Sequence, residues 1–365
     1  MKYTISFVLC LLTLSLTNCT SNSEQVSQAD LADMKSSLDS LLQATVAGGQ
    51  TPGIAVAVVS AKDVLYSAAY GVSDIETAKT LKTTDEFNFT SIVKTFTATA
   101  TLQQAENGQL ALDKSASSYW KGPFEGLELA TVRQMLSHSS GLQFTDKPAA
   151  ANGQLEAGDL KLADVPGYKL SYSNAAFYSL GQLIAHQQDQ SFPDYINENI
   201  LTPLGMEHTS LASGASAGTI AHGHSLNSAD APQLVRMEIP EQHDPRKTGN
   251  GILYSSIEDM AIWAQLHLNK GTYQDTQILK EESYKELWKP HLKTGWDTMK
   301  AAAGLGCFIG TVGGQRSVSH IGGGSGYSAA FVLLPDSDRA IIIAGNSDKL
   351  PREALIAAVG KIILE

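Results

Sequence analysis

The placement of its β-type runs constrains this chain most. Ile54-Ala55-Val56-Ala57-Val58-Val59 is apolar at every position, so as a strand it has to be covered on both faces. Lys62-Asp63 is a turn signal, and Val64 to Tyr70 can return beside it as the second strand of a hairpin. Runs of the same kind recur near the other end, at Leu305–Val312, Ser317–Ile321, Tyr327–Leu334 and Ala340–Ala344. Gly313-Gly314 and Pro335-Asp336-Ser337-Asp338 separate them as turns. Between the two groups the periodicity is helical, over Ser91–Asn107 (stopped by Gly108), Val132–His138, Asn174–Gln187 and Ile257–Leu268. Ser255-Ser256-Ile257-Glu258 predicts a capping box before the last of these. Further helices are expected from Leu31 to Gly48-Gly49 and from Pro351 onward, where Leu355, Ile356, Val359, Ile362 and Ile363 share a face. Strands at both ends with helices between predict an α+β fold. Its antiparallel sheet is formed from the N- and C-terminal segments, about residues 50–90 and 300–365, and is flanked by helices. A mainly helical insertion, about 91–299, packs beside it.

Composition excludes several classes of function. Of 365 residues, 26 are Lys or Arg and 37 are Asp or Glu, a net charge of −11, so an electrostatic footprint for nucleic acid is not expected. Cys10, Cys19 and Cys307 are too few for a disulfide framework. The helix from Leu31 lacks the basic face of a membrane-surface helix. At the start of the chain, Lys2 precedes an apolar stretch from Ile5 to Leu16. At about a dozen residues it falls short of the roughly 20 that a membrane span needs, and matches a secretory signal. The segment ends in Leu16-Thr17-Asn18-Cys19, which resembles a bacterial lipoprotein signal whose cysteine is lipidated after cleavage. The expected organisation is a lipoprotein-type signal peptide over 1–19, a Ser/Gln-rich flexible tether over 20–30 and a single domain over 31–365. Export to the periplasm or cell envelope follows, with Cys19 as the lipid anchor. Cys307, in Gly304-Leu305-Gly306-Cys307-Phe308-Ile309, is expected to be a small buried hydrophobe.

Candidate chemistry begins at Phe89-Thr90-Ser91-Ile92-Val93-Lys94. Three residues apart at a helix start, Ser91 and Lys94 lie on one face, so the amine can reach the hydroxyl. A serine hydroxyl needs a neighbouring base to become a nucleophile. A lysine serves only if its pKa, about 10.4 unperturbed, is lowered. The helix N-terminus adds positive potential and N–H groups that can steady an oxyanion. Taken alone, the pair is also compatible with an N-cap serine followed by a solvated lysine. Two later segments complete the pattern. Leu170-Ser171-Tyr172-Ser173-Asn174 opens another helix, and His320-Ile321-Gly322-Gly323-Gly324 ends a strand. A tyrosine beside a lysine can ionise or relay a proton, and an amide can hold a substrate carbonyl. Glycines after His320 allow a ligand to lie against the strand edge.

These motifs, in this order, resemble the serine β-lactamase and penicillin-binding-protein superfamily, and within it the class C β-lactamase, D-alanyl-D-alanine carboxypeptidase and esterase branch. The resemblance extends from about Leu31 to the C-terminus and includes Leu136-Ser137-His138-Ser139-Ser140-Gly141-Leu142, Pro203-Leu204-Gly205-Met206 and Gly251-Ile252-Leu253-Tyr254-Ser255. It implies Ser91 as nucleophile, with Lys94 and Tyr172 sharing the general-base and general-acid work. Asn174, His320 and Gly322 would bind substrate, and the Ser91 and Gly323 N–H groups would form the oxyanion hole. His320 would stand where β-lactamases of this branch have lysine. His320-Ile321-Gly322 lacks the lysine and hydroxyl of a Lys-Thr-Gly triplet, which implies a weaker hold on a substrate carboxylate.

Other motifs are expected to be bystanders. Ser118-Tyr119-Trp120-Lys121 starts no amphipathic helix. Lys247-Thr248-Gly249 and Lys293-Thr294-Gly295 are expected in turns, and Gly214-Ala215-Ser216-Ala217-Gly218 lacks the preceding buried strand of a nucleophile elbow. His222-Gly223-His224 has metal-ligand spacing but no following carboxylate, and His138 is expected to be a hydrogen-bonded structural residue. The sequence thus predicts an exported serine hydrolase that forms a covalent acyl-enzyme with a small-molecule ester, amide or D-amino-acid peptide. No metal or organic cofactor is needed, and membrane contact is through the lipid anchor alone. The alternatives are a β-lactamase proper and a non-catalytic sensor of penicillin or cell-wall peptide.

Overall fold

The computed structural model describes residues 28–125, 127–147, 150, 153–211, 219–227, 233–239 and 248–365. The expected signal peptide, Cys19 and Ser216 lie outside the described residues, and so does Lys247.

The apolar run after Pro52 forms β1 (Gly53–Val59), buried at every position. It lies inside a nine-stranded antiparallel sheet. On one side β1 pairs with β2 (Val64–Asp74), which is followed by the edge strand β3 (Lys79–Thr80). The remaining strands come from the C-terminal part. They are β4 (Leu292–Lys293), β5 (Ala302–Ala303), β6 (Phe308–Val312), β7 (Gln315–Gly324), β8 (Tyr327–Leu334) and β9 (Arg339–Gly345), and the order is β4-β5-β6-β7-β8-β9-β1-β2-β3. The two ends of the chain meet where Ile54 opposes Gly345 and Val59 opposes Ala340. Asn346 fastens this junction: its Oδ1 accepts from Gly53 N at 2.7 Å and its Nδ2 donates to Val72 O at 3.0 Å.

Alternation along β1 explains its composition. Ile54, Val56 and Val58 point into one core, and Ala55, Ala57 and Val59 into the other. The first core is roofed by α1 (Gln28–Ala47) and by the C-terminal helix α5 (Arg352–Leu364). Two phenols, Tyr66 and Tyr70, donate to Asp39 Oδ1 at 2.7 Å each and fix α1 to β2. The second core receives α2 (Val93–Glu106), α3 (Asn174–Gln188) and α4 (Ile257–Leu268). There Trp263 of α4 stacks on Phe96 of α2, with centroids 3.8 Å apart. Each fully buried branched or aromatic side chain contributes about 1.5–3 kcal/mol, which is why β1 is apolar at every position.

Three local details differ from the sequence reading. Glu258 does not close a capping box. Ser256 Oγ caps Asp259 N at 3.1 Å, while Glu258 accepts from Thr83 and Asp259 accepts from His208 N and Thr209 Oγ1. Leu305–Cys307 is a turn rather than strand, because Gly306 adopts φ +68° and presses against α2, where a Cβ would lie 2.5 Å from Ala98 Cβ and 2.8 Å from Lys94 O. Strand β7, by contrast, continues past Ile321 through the glycines, with Gly323 opposite Ser328 and Gly324 opposite Tyr327.

Candidate active site

Ser91 does not cap its helix. The chain turns through a short 3₁₀ segment, Thr90–Ile92, before α2 begins, and no side chain caps either. Thr90 enters this turn at φ +48°. The turn is held from behind, since Asn88 Oδ1 accepts Thr90 N at 2.8 Å and Phe89 N donates to Leu253 O at 2.7 Å. With no capping bond to make, the half-buried Ser91 hydroxyl is available to its neighbours.

Lys94 lies one turn along and is wholly buried. Its Nζ is 3.1 Å from Ser91 Oγ and donates to the Asn250 carbonyl. Aromatic rings complete the surroundings, with Tyr172 and Phe177 centroids 5.0 and 5.7 Å from Nζ. Burial drives the amine pKa well below its ordinary value, because a charge in this environment would lose its hydration with no carboxylate to replace it. A neutral amine has two hydrogens and one lone pair. With one hydrogen given to Asn250, a lone pair can face the serine hydroxyl.

Tyr172 precedes α3 and lies over the same amine. Burial pushes its phenol up to about 12, against the pull of a hydrogen bond with Ser91. The phenol therefore keeps its proton at neutral pH. Asn174 is the first residue of α3 and is exposed. Ser173 caps that helix through Ala176 N at 2.8 Å.

The third motif is arranged differently from the expectation that His320 binds substrate. The His320 side chain points inward and the residue is only 2% exposed. Its ring lies 6.4 Å from that of Tyr172 and 5.5 Å from that of Phe308, and its Nδ1 bonds the Ile321 carbonyl at 2.8 Å. Burial lowers its pKa to about 3. It is a neutral ring behind the site rather than a cation facing the cleft. Ile321 turns to the opposite face and packs with the first core. Gly322 is buried where β7 passes the nucleophile turn, and a Cβ there would lie 2.1 Å from Phe89 O and 2.5 Å from Thr90 Oγ1. Gly323 is exposed beside it. Arg352, at the start of α5, donates to the Gly322 carbonyl, and its Nη1 lies 2.9 Å from where a Gly323 Cβ would stand. The structure therefore brings Ser91, Lys94 and Tyr172 together, with the glycine edge of β7 alongside the nucleophile turn.

Of the bystander motifs, Gly249 leads into Asn250 beside the Lys94 amine, and the Gly249 carbonyl accepts from Thr97 Oγ1 of α2 at 2.6 Å. Lys121 is solvent-exposed and pairs with Glu125 at 3.9 Å, and Lys293 sits on the short edge strand β4. His222 faces Arg236 at 3.1 Å, and His224 Nδ1 bonds Asn346 O at 2.9 Å. Among the described residues no group of His, Cys, Asp and Glu could hold a metal ion. Cys307 is buried, and desolvation pushes its thiol up to about 12, away from reactivity. Sequence reasoning passed over Asn250 and Arg352. Asn250 acts through its carbonyl, and its only signal was the glycine-flanked loop Gly249-Asn250-Gly251. Arg352 carried no signal at all.

Known proteins resemble this chain in sequence and fold. The sequence profile of the Beta-lactamase family matches residues 38–362. Protein flp of Staphylococcus aureus (strain N315) is 25% identical over 336 residues, covering 88% of this chain and 65% of that protein. The chain thus spans just under two thirds of the length of these curated relatives. Penicillin-binding protein 4 of Amycolatopsis lactamdurans is 27% identical over 312 residues, covering 77% of this chain and 80% of that protein. The octameric penicillin-binding protein homologue from Pyrococcus abyssi superposes with a TM-score of 0.75 at 23% identity, covering 90% and 77% of the two chains. Its likeness is one of fold. The family match spans nearly the whole described chain, strands from both ends included, and the chain belongs to the Beta-lactamase family of serine β-lactamase and penicillin-binding-protein-like proteins.

Proposed function

We propose that the protein is a serine hydrolase that forms a covalent acyl-enzyme at Ser91 and acts on an ester, amide or D-amino-acid peptide. The observation that carries this reading is the wholly buried Lys94 amine, 3.1 Å from Ser91 Oγ, whose pKa burial drives well below its ordinary value. Neutral Lys94 takes the hydroxyl proton as Oγ bonds the substrate carbonyl carbon. Ser91 and Gly323 N–H groups stabilise the oxyanion, and Asn174 orients the substrate amide or ester. As the bond to the leaving group breaks, the proton held on Lys94 passes through the Tyr172 phenol to that group. Water then attacks the acyl-enzyme, and the same groups act in reverse. Assigning the base to Lys94 and the relay to Tyr172 follows from the two shifts: the amine is lowered and the phenol raised to about 12.

Arg352 supports a substrate that carries a carboxylate. With His320 neutral, its guanidinium, beside Gly322 and Gly323 and paired with Glu353 at 3.0 Å, is a cation flanking the strand edge. This favours a peptide with a free C-terminus over a neutral ester, and is consistent with the class C, carboxypeptidase and esterase branch. A fluorophosphonate tests the nucleophile: Ser91→Ala should abolish labelling and turnover of a generic ester, while Ser118→Ala keeps both. Labelling without turnover in the unaltered protein would instead support a non-catalytic sensor. For location, we propose an exported, lipid-anchored protein, on the strength of Lys2, the Ile5–Leu16 stretch and Cys19. Cys19→Ser should then release the protein from membranes, and unchanged partitioning would refute the anchor.

A further inference from the structure

His138 takes no part in the proposed chemistry, yet it holds Tyr172 at three points. Its carbonyl accepts the N–H of Ser171 at 2.7 Å, and its Nδ1 accepts the N–H of Ser173 at 3.1 Å. Between these ties the imidazole lies on the Tyr172 ring, with centroids 4.2 Å apart and planes inclined by 23°. The residues on either side of Tyr172 are thus tied to the residue whose ring supports it. The Ser173 bond also sets the tautomer. Nδ1 must present its lone pair, so the ring proton is on Nε2. An imidazolium would turn a donor toward a donor.

The chain accepts two costs for this arrangement. His138 is buried at φ +53°, a left-handed conformation uncommon for any residue with a Cβ, although histidine adopts it more readily than most. Its Nε2 is buried with no hydrogen-bond partner among the described residues, and the ring centroid lies 4.8 and 6.0 Å from those of Phe177 and Phe308. Glycine would relieve the first cost and phenylalanine the second. Glycine, however, would remove both the stack and the Nδ1 acceptor, and phenylalanine would remove the acceptor. Strain kept at a buried residue beside a cluster of chemically active groups points to function.

We infer that His138 is a positioning residue for Tyr172: it fixes the phenol over Ser91 and Lys94, and its effect on turnover passes through the Tyr172 hydroxyl. The inference rests on the reading of Tyr172 as the proton relay. Its test is a double-mutant cycle on one chromogenic ester, with kcat and KM measured for the unaltered protein, His138→Phe, Tyr172→Phe and the double variant. His138→Phe should lower kcat about 10- to 100-fold, the scale of a misplaced catalytic group, with KM changed less than about threefold. In the Tyr172→Phe background the same substitution should change kcat less than about twofold, because the hydroxyl it positions is gone. His138→Gln, which keeps an acceptor for Ser173 N, should recover part of the loss. Circular dichroism and thermal melting establish folding. If His138→Phe does not fold, His138→Gln takes its place in the cycle. An equal loss in both backgrounds would make His138 merely structural and overturn the inference while leaving the Tyr172 relay intact. Full activity in Tyr172→Phe alone would remove the relay, and the inference with it.

Discussion

Gly322→Ala isolates the contact between strand β7 and the nucleophile turn. A Cβ at this position would lie 2.1 Å from the Phe89 carbonyl oxygen, 2.5 Å from Thr90 Oγ1 and 3.0 Å from the Phe89 carbonyl carbon. Two of the three obstacles are backbone atoms and cannot swing aside. To reach an ordinary contact of about 3.4 Å, strand and turn must part by about 1.3 Å. Phe89 N is bonded to Leu253 and Thr90 N to Asn88, so the turn cannot retreat alone. The expected stability cost is that of overpacking a well-filled site, about 1–3 kcal/mol. The functional cost is larger, because about 1 Å of misplacement between nucleophile and oxyanion donors is enough for roughly a hundredfold loss. Folded Gly322→Ala should therefore react with a fluorophosphonate about a hundredfold more slowly, with stability measured by urea unfolding alongside. Gly314→Ala is the control: its φ of +76° brings backbone strain, but a Cβ there meets nothing within 4 Å. Unaltered labelling of folded Gly322→Ala would refute the close approach of β7 to Ser91 as a requirement for reactivity.

Three further outcomes follow from the charges. Lys94 is lowered by burial and Tyr172 raised to about 12, so kcat/KM for a neutral ester should rise as Lys94 loses its proton well below pH 10 and then stay level. A profile still climbing between about pH 9 and 11, the range of an unperturbed lysine, would mean that the amine is charged at neutrality. His138, His267 and His320 are all buried and lowered, chiefly by desolvation. Below about pH 6.5 the unfolded chain binds protons that the native state refuses, so stability falls as pH falls, by about 1.4 kcal/mol per histidine and unit. The three together predict a loss of about 4 kcal/mol between pH 7.5 and 5.5. Urea unfolding should show this slope reduced by about a third in His267→Gln, and an unchanged slope would refute the assignment. Finally, Arg352→Gln should lower kcat/KM for a peptide with a free carboxylate about 10- to 100-fold more than for its amidated form, the worth of one charge-assisted hydrogen bond. Equal losses on the two substrates would place the carboxylate elsewhere.

The sheet was legible in the sequence because its strands are buried on both faces and alternate locally between two cores. Ile54–Val59 and Tyr327–Leu334 needed no tertiary knowledge to be read as strands. The helix starts were legible for the same local reason, and the three-residue spacing from Ser91 to Lys94 put both side chains on one side of a turn. The errors came where a contact distant in sequence overruled the local pattern. Leu305–Cys307 turns because Gly306 presses on Lys94 and Ala98, and Glu258 was a poor guess for a cap because Thr83 claims its carboxylate. At the site the division is sharper. The sequence singled out Ser91, Lys94, Tyr172 and the glycines of β7 through the order of three motifs and the family they resemble, since motif order is a property of the chain. Only the tertiary structure decided that burial lowers the Lys94 amine, that His320 is a buried ring and not a charge in the cleft, that the Asn250 carbonyl holds the amine and that Arg352 reaches the strand edge. Desolvation is the physical reason. It depends on which segments close over a group, and those closing over Lys94 come from α3 and the loop at Asn250, far apart along the chain.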